Sequence, residues 1–81
     1  MISGWYIFDI MDRYAQKIAE SFIWKCVTRN ASINFLFPSS QDYELQHNVF
    51  LISETKVEIS VAYKSELKIT ATATFTFVSI K

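Results

Sequence analysis

From residue 7 to about residue 27 the apolar positions recur at helical spacing. Ile7, Met11, Ile18 and Phe22 align at about 100° per residue, flanked by Phe8, Tyr14, Ala15, Ala19 and Cys26. The opposite arc holds Asp9, Asp12, Arg13, Gln16, Lys17 and Glu20, as a solvated helix face requires. The pattern predicts one amphipathic helix with a single stripe on a core, ended by Asn30 in the left-handed position.

Beyond Asn30 the period falls to two. Ile33, Phe35 and Phe37 form a short alternating run that stops at Pro38, and Tyr43, Leu45, Val49 and Leu51 form a second. The alternation is cleanest in Val57, Ile59, Val61, Tyr63 and again in Leu67, Ile69, Ala71, Ala73, Phe75, Phe77. Every inward position is odd-numbered, and opposite residues of an antiparallel pair share a face. Odd must therefore meet odd, which calls for loops of odd length unless a bulge intervenes. Three-residue loops at Ser53, Glu54, Thr55 and at Lys64, Ser65, Glu66 satisfy this. The predicted architecture is α+β: one N-terminal helix on one face of a four-stranded antiparallel meander, a two-layer sandwich in a single domain over residues 1–81. Ala71 and Ala73 mark the expected place of closest helix approach.

The residues left over are as informative as the core. Ile23 and Trp24 fall on the polar arc of the predicted helix, and Phe50, Ile52, Val78 and Ile80 have the outward parity of their strands. With Tyr63 set opposite Leu67, residues 76–80 run past the end of the third strand. Either the first strand or N-terminal segment pairs there, or a second chain does, which gives the expectation of a homodimer through the C-terminal strand.

Composition narrows the function classes. Eight Lys and Arg balance eight Asp and Glu, so the field that draws in polyanions is missing. Arg13 with Lys17, and Lys25 with Arg29, form two basic pairs, but acidic residues share the helix and a nucleic-acid partner is not expected. One Cys, Cys26, precludes an internal disulfide and fits a cytoplasmic location, and no stretch of about 18 apolar residues exists to cross a membrane. One Gly excludes phosphate-binding glycine loops, while one Cys and one His supply neither a metal site nor a cofactor ligand set. Cys26 and His47 are the only available thiol–imidazole dyad, and no oxyanion-binding glycine accompanies them. The row Thr70, Thr72, Thr74, Thr76 suits the wet face of a strand.

By exclusion, the sequence reads as a non-enzymatic cytoplasmic module that binds a protein partner through Ile23, Trp24, Phe50, Ile52, Val78 and Ile80. Small phage or mobile-element inhibitors of host machines, anti-CRISPR proteins among them, are the analogy. The alternative is a small-molecule binder with its pocket between helix and sheet, lined by Tyr14, Phe35, Tyr43, His47 and Tyr63.

Overall fold

The computed structural model describes residues 4–23 and 25–80. Helix α1 spans Gly4–Glu20, and four strands follow: β1 Cys26–Phe35, β2 Tyr43–Ser53, β3 Lys56–Ser65 and β4 Lys68–Ser79. One helix on one face of a four-stranded antiparallel sheet is the α+β arrangement that the periodicities predict.

The helix stops earlier than its pattern suggests. The Ser21 hydroxyl donates to the Ile18 carbonyl at 2.6 Å, and the backbone N–H groups of Phe22 and Ile23 both donate to the Ala19 carbonyl, which tightens the last turn and releases the chain. Lys25 then takes a φ of 54°, and β1 begins at Cys26, so Asn30 lies inside a strand and caps nothing. Early termination corrects the reading of Ile23. A helical wheel no longer applies beyond Glu20, and Ile23 folds under the helix end at 5% exposure as part of the core. Trp24 lies outside the described residues.

The strand order is β1-β4-β3-β2, so the meander has three strands and not the expected four: β2, β3 and β4 follow one another, and β1 joins at the far edge, against β4. Val27 lies opposite Val78 and Cys26 opposite Ser79, while Val78 faces Lys56 on its other side. The C-terminal end of β4 is thus paired on both sides. A homodimer through that strand is overturned, because β1 occupies the position that a second copy would take.

Odd-against-odd pairing holds through the body of the sheet, with Val61 opposite both His47 and Ala73, and Ile59 opposite both Val49 and Phe75. The hairpin turns have two residues instead of three. Each is compensated by one extra residue, Ile52 between Leu51 and Ser53 and Thr70 between Ile69 and Ala71. This slides Tyr63 from Leu67 to Ala71 and leaves Leu67 in the turn, 93% exposed, with Ile69 paired to Lys64 on the outward face.

The β3–β4 turn places Glu66 and Leu67 at φ 52° and 69°, a conformation that costs an L-residue about 1–2 kcal/mol relative to glycine. Replacing the pair by Asn-Gly is expected to stabilise the fold by about 1 kcal/mol. An unchanged urea midpoint in E66N/L67G would refute this turn geometry.

A single helix, about 10 Å across, covers two strands at about 4.8 Å spacing. The core is accordingly Val57, Ile59, Val61 and Tyr63 of β3 with Ala71, Ala73, Phe75 and Phe77 of β4, packed under Ile7, Met11, Ala15 and Ala19. Alanines from both layers let the backbones approach. Edge strands β1 and β2 keep their inner faces half open, which creates one seam on each side of the helix.

Candidate functional site

The seam between α1 and β1 carries an apolar recess. Helix and strand run in opposite senses there: Gly4 meets Phe35, Asp12 meets Thr28, and Gln16 meets Cys26. At the start of the helix an open groove of about 420 Å³ is lined by Gly4, Trp5, Phe8, Ile33 and Phe35, with no charged side chain among them. Gly4 makes a close approach to β1, since a Cβ there would sit 3.0 Å from Cζ of Phe35 and would press on that ring. Phe8 forms the floor by leaning on core residue Phe75, ring centroids 5.7 Å apart. A second recess of about 390 Å³ continues past Phe35 along Ile7, Leu36, Phe37 and Pro38.

Farther along the same seam the chemistry changes. On the outer, solvent-facing arc of the helix Arg13 pairs with Asp9 at 3.1 Å, both exposed. The Thr28 hydroxyl donates to Asp12 at 3.4 Å, and the Gln16 amide donates to the Cys26 carbonyl at 3.0 Å. Arg29 is the extra residue of the β1 bulge and lies exposed beside Thr28. One end of the seam is therefore apolar and the other is built from charges and amides.

The seam between α1 and β2 holds Tyr14 and His47, with 2.8 Å between the hydroxyl and Nδ1 and the rings edge to face. Below them Tyr43 stacks on Tyr63 at 4.6 Å, and the buried Tyr63 hydroxyl donates to the Ser40 carbonyl at 2.7 Å.

These positions sort the sequence-based candidates. Tyr14 and His47 come together, as do Tyr43 and Tyr63. Phe35 lies across the helix, on β1, in the apolar groove. The five residues thus divide between two seams. Tyr63 is wholly buried and closed to a ligand. Phe50, Ile52 and Ile80 are exposed, whereas Val78 is half-buried between β1 and β3. Trp5, Phe8 and Ile33 were missed as a group: the helix start and β1 meet only through a pairing that no local pattern announces.

Cys26 and His47 stand on opposite edge strands, so no thiol–imidazole dyad forms. Burial, with the Glu20 carboxylate nearby, pushes the Cys26 thiol above its ordinary value. Burial likewise raises the Tyr63 phenol, helped by the neighbouring Tyr43 and Tyr6. Both groups ionise more easily in the unfolded chain, so stability is fully present at neutral pH and is lost as pH rises through their ionisation. A urea midpoint at about pH 10 equal to that at pH 7 would contradict this.

No protein-family model and no curated protein sequence matches the chain. Solved structures do. The chain is similar to smu.793 from Streptococcus mutans UA159, solved bound to acetyl CoA, at 28% identity and a TM-score of 0.81 over 94% of this chain. It spans 64% of that protein's length. A thioesterase from Thermus thermophilus, complexed with coenzyme A and Zn, shares the fold at a TM-score of 0.75 and 13% identity, over 99% of this chain and 70% of its own. These similarities overturn three expectations: a protein-binding inhibitor of the phage type, a protein as the principal partner, and the absence of enzymatic activity. Both similar structures hold coenzyme A or its thioester, and one of the two proteins is an enzyme. Exclusion rested on nucleophile and metal motifs, and the groove is lined by neither kind of residue.

Proposed function

We propose that this chain binds a coenzyme A thioester in the α1–β1 seam. The observation that carries the reading is the similarity of nearly the whole chain to an acetyl-CoA-bound protein at 28% identity. The seam supports it, since a CoA thioester is apolar at its acyl end and anionic at its phosphates, and the seam offers an apolar groove with the exposed Arg29 farther along β1. This is the small-molecule alternative of the sequence reading, moved from the tyrosine-lined side of the helix to the opposite side. A cytoplasmic location accompanies it, in keeping with a single cysteine that cannot close an internal disulfide. No helix among the described residues is long and apolar enough to cross a membrane.

Calorimetric titration with acetyl-CoA and with free CoA tests the reading. Saturable heat with either ligand is the expected result, and no binding up to about 1 mM would overturn it. The same samples reveal hydrolysis, because cleavage by water releases a carboxylic acid and the free CoA thiol. Buried Cys26 leaves little background in a thiol assay, and a Cys26→Ala control removes it.

A further inference from the structure

We propose that the groove formed by Gly4, Trp5, Phe8, Ile33 and Phe35 is the acyl subsite, and that it selects acyl chains well beyond acetyl. The inference rests on the CoA-thioester reading and adds the identity of the group that is read. The groove is lined by three aromatic rings and an isoleucine, whose apolar surfaces give an incoming chain dispersion contacts with no charged side chain among them. Its volume of about 420 Å³ far exceeds what two carbons fill, and an acetyl group would leave most of the apolar wall wet. Gly4 keeps the entrance open, since any side chain there would meet the Phe35 ring. Orientation follows from the polarity of the seam. Acyl carbons lie against Phe8 and Phe35, and the phosphates lie toward Arg29, the exposed bulge residue at the other end of β1.

Burying one methylene corresponds to about a four-fold gain in affinity, so the dissociation constant should fall by about that factor for each carbon added between acetyl- and octanoyl-CoA. The test is a titration series with CoA, acetyl-, butyryl-, hexanoyl- and octanoyl-CoA, repeated with the free acids of the same lengths. Trp5→Ala and Phe35→Ala serve as groove variants, because both side chains are exposed and their loss leaves the core intact. Both variants should flatten the chain-length series while leaving the affinity for CoA itself unchanged. Arg29→Ala should instead weaken all members by a similar factor and reduce the salt dependence. Equal affinities for acetyl- and octanoyl-CoA, or an unaltered gradient in both groove variants, would overturn the acyl subsite while the CoA reading stands. Chain-length-dependent binding of the free acids without any binding of the CoA series would support the subsite and defeat the CoA reading. Lack of chain-length dependence in both series overturns the subsite outright.

Discussion

Phe75→Ala should destabilise the fold by about 3–5 kcal/mol, the range for truncating a fully buried phenylalanine. Phe75 has no exposed surface, stands opposite Ile59 on one side and Ala31 on the other, and touches the rings of Phe8 and Phe77. Since a domain of this size has about 5–15 kcal/mol in total, the variant should lie close to unfolding at ambient temperature. Its second consequence is functional. Phe8 is both the floor of the groove and the neighbour of Phe75, so the cavity invites the Phe8 ring inward and deepens the recess. Urea denaturation of Phe75→Ala beside Phe75→Leu measures the first effect. A loss below about 1 kcal/mol would show that the groove-side core closes over the missing ring and that Phe8 is not propped from below.

The two buried strands were legible because burial imposes a period of two, unbroken along β3 and along β4 beyond the Thr70 bulge that turns Ile69 outward. Val57 to Tyr63 and Ala71 to Phe77 occupy the inner face that their parity predicts. Helix α1 was legible for the same reason, although its centre proved to be Ile7, Met11, Ala15 and Ala19. Ile18 and Phe22 carry more apolar surface, yet the layers approach most closely where the side chains are smallest. Its end was not legible. Phe22 and Cys26 continue the helical spacing by coincidence, and the Ser21 hydroxyl bonded to the Ile18 carbonyl sits where the helix ends.

Strand order was out of reach for a different reason. Both β2 and β4 could accept β1 on grounds of parity, and the choice is made by the sheet as a whole: β4 extends to Ser79 and offers β1 a full-length edge. Because the candidate site is the seam that this choice creates, it inherits the same illegibility. Trp5 and Phe8 read as one end of a helical stripe and Ile33 and Phe35 as a short strand, and only the pairing of β1 with β4 brings them to one recess. The proposed function was illegible at one further remove, since an apolar groove assembled from two distant segments has no fixed spacing in a sequence.

The connection from β1 to β2 bears on that recess, and Thr70 holds it. As the extra residue of its bulge, Thr70 has a carbonyl released from the ladder, which accepts the N–H groups of Leu36 at 2.8 Å and Phe37 at 3.2 Å. Its hydroxyl meets that of Ser39 at 2.6 Å with both residues buried. Thr70→Val keeps the shape but strips Ser39 of that partner, and is expected to cost about 1–3 kcal/mol. Ser39→Ala in the same background removes the orphaned hydroxyl, so the double variant should recover most of the loss, with a coupling of at least 0.5 kcal/mol by the usual range for contacting pairs, about 0.5–3 kcal/mol. Denaturant midpoints for the four proteins of this cycle provide the check, and strictly additive effects would show that the two hydroxyls do not depend on one another. Because Leu36 and Phe37 wall the recess beyond Phe35, a connection loosened in Thr70→Val should also weaken binding of the longest acyl chains first, leaving acetyl-CoA unaffected.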